Sequence, residues 1–193
     1  MRIALTGGIA CGKSLLARYL NELGVETMDA DDIVHELIPA EERKRIAGEI
    51  FRDAAKRREL ESRIHPLVKD RLEGFAAAGG DAIRVEIIPL LFECNWQSVY
   101  DIICCVSSPR SVQMERMVKL RGYSEEQAEA RLAAQLPVEA KAKRSDYVIV
   151  NDGSAENLKQ EATKLVEWLK GISHGRAGSQ ESVGDKKSVG EKG

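Results

Sequence analysis

Neither sign of charge prevails in this chain. Lys and Arg total 29 against 31 Asp and Glu, a formal net charge of -2, so no bulk field draws the protein onto nucleic acid or a membrane surface, and any anion site must be local. Cysteines are few. Cys11, Cys94, Cys104 and Cys105 form no CxxC pair and lack the spread of a disulfide framework, which makes reduced thiols in a cytoplasmic setting the expectation. No apolar run approaches the roughly 20 residues of a membrane span. Met1-Arg2 leads straight into Ile3-Ala4-Leu5 and a glycine-rich turn, without the apolar core of roughly 7–15 residues that a secretory signal carries. Also missing are D-x-x-G and N-K-x-D, the motifs with which a GTP-dependent switch reads guanine; Asn151-Asp152-Gly153 lacks the lysine.

What is present is a chain of 193 residues, 43% hydrophobic, enough for one substantial core. Short apolar runs alternate with longer segments of helical period, as βα units around a parallel sheet do. The runs predict five strands, at Arg2 to Thr6, Val25 to Asp29, Ala82 to Ile88, Asp101 to Ser107 and Tyr147 to Val150. Apolar residues three and four apart predict helices over Lys13 to Leu23, Arg110 to Leu120, Ser124 to Leu136 and Ala155 to Lys170. Residues 1–170 therefore read as one α/β domain. Within it, residues 32–78 are helical, charged and sparse in strong hydrophobes, as a helical insertion standing off the sheet would be. The stretch 110–143 carries Arg116, Lys119, Arg121, Arg131, Lys141 and Lys143, which suits a mobile lid over phosphates and equally a solvated helical pair. From Gly171 the composition shifts to Gly, Ser, Lys and Glu, and Ser182-Val183-Gly184-Asp185-Lys186 nearly recurs as Ser188-Val189-Gly190-Glu191-Lys192. That predicts a disordered tail over 171–193.

The strongest chemical signal is Gly7-Gly8-Ile9-Ala10-Cys11-Gly12-Lys13-Ser14, which fits G-x-x-x-x-G-K-[ST] between a predicted strand and a predicted helix. Glycines let the backbone curl until its N–H groups converge on phosphate oxygens, and the helix N-terminus adds its positive end. Lys13 would reach the outer phosphates of ATP and Ser14 would ligate Mg²⁺, with the amides of Ala10, Cys11, Gly12, Lys13, Ser14 and Leu15 doing most of the holding. Cys11 has two readings, an acidified thiol at a helix N-terminus or a small residue that fits there.

After the second strand comes Asp29-Ala30-Asp31, a spacing that puts both carboxylates on one side of an extended strand end. At the carboxyl edge of a doubly wound sheet, such a group can take a proton from an attacking hydroxyl or hold a magnesium water. It can equally cap the helix that follows. His65-Pro66 is similarly open, between a substrate contact and a helix cap or packing residue, with Pro66 suited to the first turn of a new helix. The basic patches Arg43-Lys44-Arg45 and Lys56-Arg57-Arg58 read either as solvated faces or as partners of an acceptor's pyrophosphate.

The loop Leu5 to Ser14, the Asp29-Ala30-Asp31 triplet, Ile64-His65-Pro66-Leu67 and Ile88-Pro89-Leu90-Leu91-Phe92-Glu93 together resemble the dephospho-coenzyme A kinases. Gln113-Met114-Glu115-Arg116, Arg131 to Gln135 and Asp146 to Gly153 follow the same order, so the likeness covers residues 2 to about 169. The resemblance implies a P-loop kinase fold and transfer of the ATP γ-phosphoryl group to the ribose 3′-hydroxyl of dephospho-coenzyme A. It implies Asp31 as catalytic base, with Lys13, Arg116 and Arg131 taking the developing charge. Gly8 and the loop residues through Leu15 would bind ATP, with Asn151 and Gly153 beside the adenine. Asp29, His65, Leu91 and Glu93, together with residues 32–78, would form the acceptor side. A kinase of another small molecule, such as a nucleoside or nucleotide, would share the loop and lid.

The sequence departs from the family pattern in places. His35 stands where arginine is usual, Leu15 where a second hydroxyl usually follows Ser14, and Leu120 where an arginine is expected one place before Arg121. The segment 32–64 is short. Glu86 lies three residues before Pro89 rather than two, which reverses its face on the strand, so it is not assigned to metal.

Overall fold

In the computed structural model the described residues are 1–43, 46 and 53–181. Strand β1 (Ile3–Gly7) is buried along its whole length, the mark of a strand with layers on both faces. Around it lie β2 (Glu26–Asp29), β3 (Arg84–Ile87), β4 (Ile102–Ser107) and β5 (Tyr147–Val150), all parallel, in the order β2-β3-β1-β4-β5. These are the five strands expected from the apolar runs. The chain passes from β3 on one side of β1 to β4 on the other, so the carboxyl ends beside β1 form the crevice where such sheets collect ligands. Register aligns the ends: Leu5 lies opposite Ile87, and Ile87 opposite Asp29. The acidic end of β2 is therefore level with the start of the glycine loop.

Alternation along the strands divides the core. Ile3 and Leu5 face one apolar cluster with Leu16 and Leu20 of α1 (Lys13–Glu22) and Leu158, Leu165 and Leu169 of the C-terminal helix. Ala4 and Ile103 face another, with Ile33 of α2 (Ala30–Leu37), Val68 and Leu72 of α3 (Ala54–Ala77), and Leu91, Phe92 and Trp96. A third, smaller cluster joins Ala10 to Met117 of α4 (Arg110–Arg121) and to Ala128 and Leu132 of α5 (Glu125–Ala133). Gly122 in the left-handed conformation ends α4, and a capping box of Ser124 with Gln127 starts α5. Pro137 stops the predicted Ser124–Leu136 helix from running on, and a short α6 (Val138–Ala142) follows.

Two expectations change. Pro66 does not open a new helix: α3 runs unbroken through it, forgoing one backbone hydrogen bond. Its N-terminus is instead Asp53, whose carboxylate accepts from the amides of Ala55 and Lys56 at 2.8 and 3.2 Å. The disordered tail expected from Gly171 is corrected over 171–181, because the last helix, α7 (Ala155–Glu181), carries on past Lys170. Ile172 packs on the β1 cluster and the Ser173 hydroxyl donates to Leu169 O at 3.1 Å, so burial holds the helix past the composition change. The repeat within 182–192 lies outside the described residues. Of the basic patches, Lys44, Arg45 and the side chain of Arg57 also lie outside them, while Arg43 donates to His35 O and Ile38 O at 2.7 and 2.8 Å and so satisfies carbonyls at the end of α2. Glu86 is 1% exposed and holds Arg2 at 3.1 and 2.9 Å and the Tyr100 hydroxyl at 2.5 Å, a structural pairing away from the crevice. Among the described residues no helix is long and apolar enough to cross a membrane.

Candidate active site

The glycine loop is shaped by two backbone positions. Gly12 has φ 94°, and a Cβ there would press on the Asn151 side-chain amide well inside van der Waals contact. Gly7 at φ 150° lies so close to Val106 O that no Cβ fits. Ala10 accepts a left-handed φ of 58°, a strained conformation of the kind concentrated at binding loops. Helix α1 starts from Gly12 with no side-chain cap and no acid in its first turn, so its positive end is left for an anionic ligand. The Lys13 ammonium lies over the loop, donating to Gly7 O at 3.1 Å and Gly8 O at 2.9 Å. Burial lowers its pKa, Lys141 lowers it further, and Asp31 and Asp29 oppose the shift.

The loop is braced from the far end of the chain. Asn151, just past β5, donates from Nδ2 to Cys11 O at 2.8 Å and accepts at Oδ1 from Arg116 at 3.3 Å. Its own carbonyl accepts the Ser108 hydroxyl at 2.6 Å, and Arg116 donates to Ser108 Oγ at 3.1 Å and to Ala10 O at 3.4 Å. Gln113 completes the mesh through Ser108 O at 2.8 Å. Arg116 is thus oriented by acceptors on three segments, with its guanidinium at the cleft wall. Cys11 has no exposed surface, and burial pushes its thiol pKa up, which fits a packing residue and not an acidified thiol.

Across the loop, β2 delivers the carboxylates. Asp29 is the N-cap of α2, its Oδ1 accepting from the Asp31 amide at 2.9 Å, so the capping role belongs to Asp29. Desolvation raises its pKa to about 6, against the relief of that hydrogen bond, and the neighbouring carboxylates Asp31 and Asp32 add to the rise. Asp31 reaches solvent at the cleft mouth, yet the walls crowd it enough that desolvation lifts its carboxyl, with Lys13 and His35 pulling the other way.

These groups share one cleft of about 510 Å³, lined by Ala10, Gly12, Lys13, Ser14 and Leu15 on one side and by Asp29, Asp31 and Pro89 on the other, with Arg116, Asn151 and Gly153. The structure therefore brings together most of the residues expected from the sequence. Six do not line it: Gly8 borders a neighbouring pocket with Gln113 and Val138, Cys11 is buried within the loop, and four stand farther off. Arg131 is exposed on α5 with its guanidinium 4.5 Å from the centre of the Tyr123 ring. His65 lies mid-helix on α3, its ring edge-on to Trp96 at 5.0 Å. Leu91 has no exposed surface and packs in the α2–α3 cluster, so its side chain is a core residue. Glu93 pairs with Lys141 at 2.7 Å, a lysine with no exposed surface. Lys141, expected on a lid or a solvated helix face, is instead buried, while Pro89 and Gln135, present in the family-like motifs without a role of their own, line the cleft wall.

The dephospho-CoA kinase family model matches residues 1–44 and 39–157. The chain belongs to that family. A dephospho-CoA kinase from Anaeromyxobacter dehalogenans is 34% identical over 194 aligned residues, covering 88% of this chain and 92% of its own. Among solved structures, one from Thermus thermophilus superposes with a TM-score of 0.75 at 28% identity, covering 88% of this chain and 97% of that one. A dephospho-CoA kinase from Campylobacter jejuni does so with a TM-score of 0.65 at 26% identity, over 89% and 98%. The fold is that of a P-loop kinase, and membership of the dephospho-CoA kinase family makes ATP the co-substrate and the reaction a phosphoryl transfer to an alcohol.

Proposed function

We propose that this chain transfers the γ-phosphoryl group of ATP to the ribose 3′-hydroxyl of dephospho-coenzyme A, giving coenzyme A and ADP, in the cytoplasm. The observation that carries the reading is the convergence of Lys13, Ser14, Asp31 and Arg116 on one cleft, at the switch point of a sheet from this family. Loop amides and the uncapped start of α1 bind the phosphates. Asp31, faced by Lys13 across the cleft, accepts the proton of the 3′-hydroxyl as that oxygen attacks; its raised pKa makes it a better base than a free carboxylate. Lys13 and Arg116, already oriented by the loop and by Asn151, stabilise the charge on the transferred group. Arg131 would contribute only by leaving the Tyr123 ring.

The donor set fits Mg²⁺. The exposed Ser14 hydroxyl and the Asp29 and Asp31 carboxylates line the same cleft, all hard oxygens, and the described residues hold no group of three or more His, Cys, Asp or Glu that would cage a cation by themselves. That arrangement suits an ion shared with substrate phosphates, with Ser14 as its protein ligand. When bound, Mg²⁺ neutralises phosphate charge.

The test is product formation. Purified protein with ATP and Mg²⁺ should convert dephospho-coenzyme A to coenzyme A in preference to nucleosides, nucleotides and simple alcohols offered in parallel. No coenzyme A under saturating conditions, or faster phosphorylation of another acceptor, would overturn the assignment.

A further inference from the structure

Lys141 sits near the end of α6 with no exposed surface, and its ammonium donates to Pro89 O at 2.7 Å while pairing with Glu93 Oε1 at 2.7 Å. The same carboxylate oxygen accepts the backbone N–H of Leu136 at 2.9 Å. One ammonium and one oxygen thus join three segments: the loop after β3 from Pro89 to Glu93, the turn between α5 and α6, and α6 itself. Pro89 O also accepts the Thr6 hydroxyl at 3.3 Å, which ties the junction to β1 just ahead of the glycine loop. Both neighbours of the junction, Pro89 and Gln135, line the cleft.

Burying a lysine is a poor way to gain stability, because desolvating the pair offsets much of its attraction and an apolar residue of similar volume often does as well. What the pair supplies is geometry. Glu93 Oε2 and Gln135 Oε1 are buried without a hydrogen-bond partner among the described residues, the Glu93 charge is paired with Lys141, and the turn that the pair pins carries Gln135, a residue of the cleft wall. We infer that Lys141 is a positioning residue of phosphoryl transfer, clamping the Pro89–Glu93 loop to the α5–α6 turn and so fixing the wall against which the acceptor alcohol is held.

This rests on the proposed function, and the experiment separates the two. Lys141→Met removes the charge at similar length, and Lys141→Met with Glu93→Gln removes both charges, so that no buried carboxylate is left unbalanced. KM for dephospho-coenzyme A should rise about tenfold in both variants while KM for ATP stays within about twofold, since misplacement of a substrate wall acts on the substrate it holds. The double variant should regain the thermal stability that the single one loses, yet keep the raised acceptor KM. Recovery of stability together with a wild-type acceptor KM would show a purely structural pair and overturn the inference, as would an equal rise in both KM values. Should the single variant fail to fold, the double variant alone decides. Wild-type protein that makes no coenzyme A would instead count against the proposed function.

Discussion

The two walls of the cleft are built differently. The wall proposed for the nucleotide is backbone: Gly12 and Ala10 are set by positive φ angles, and Cys11 O and Ala10 O are fastened by Asn151 and Arg116, over a floor of fully buried Cys11 and Leu16. The side proposed for the acceptor rests on side chains. Behind its carboxylates, outside the cleft itself, α2 and α3 show Leu37 and Leu67 to solvent and meet through the exposed pair Arg71–Glu36 at 2.8 Å, while His65 leans on Trp96. Backbone geometry tolerates few substitutions, whereas a surface of long side chains can exchange members without refolding. The nucleotide side should therefore fail abruptly under mutation and the acceptor side by degrees.

Substitutions can break that comparison. The largest effect is expected at Asp31, where the walls meet: Asp31→Asn should slow turnover by on the order of 10²–10⁴, the usual reach of general base help, while ATP binding persists. Near-normal turnover would leave Asp31 as a solvated neighbour of the Asp29 cap. On the nucleotide wall, Gly12→Ala forces a Cβ onto the Asn151 amide in a left-handed conformation, and ATP affinity by titration calorimetry should fall at least ~tenfold. Unchanged affinity would mean that the loop is not rigid. On α3, behind the proposed acceptor side, His65→Ala gives up an edge-on ring contact of roughly 0.5–1.5 kcal/mol. It should lower kcat/KM for dephospho-coenzyme A no more than about tenfold and leave ATP affinity alone. A loss as deep as that of Asp31→Asn would make His65 part of the chemistry.

The smallest effect is one of pH on the ligand-free protein. Asp29 holds its proton up to about 6 when folded, against an ordinary value of 3.8. Between those values the folded state binds more protons than the unfolded one, so stability falls as pH rises from about 4 to about 6 and stays lower above. Asp29→Asn keeps an oxygen for the Asp31 amide and removes the charge. Its melting temperature should match wild type near pH 4 and exceed it by roughly 2–4 °C near pH 7.5. A variant less stable than wild type at the higher pH would show that the charge itself holds the cap.

The same contrast explains what could be read from residues alone. The strands, the loop and its following helix were legible because each is set locally, by apolar runs and by glycines whose freedom the turn requires. The spacing of Asp29 and Asp31 reads as that of an extended strand end, whereas Asp31 lies in the first turn of α2 behind its Asp29 cap. What escaped were facts of tertiary packing. Nothing near Lys141 in the chain announces that Glu93, 48 positions earlier, will balance its charge in a dry interior. Leu91 sits within a motif that the resemblance assigns to the acceptor, yet apolarity sends its side chain into the core. Arg131 has every attribute of a phosphate ligand, and only the position of Tyr123 shows where its guanidinium rests. Pro66 was a reasonable helix start, and α3 absorbs it because packing of Val68 and Leu72 outweighs one missing amide bond.

The hydrogen bond from Asn151 to Cys11 spans 140 positions of sequence. During synthesis the loop at residues 7–14 leaves the ribosome early, but its brace arrives only when β5 has been made and paired. A growing chain therefore carries an unbraced loop for most of its translation, and the loop's final geometry becomes a property of the nearly finished polypeptide.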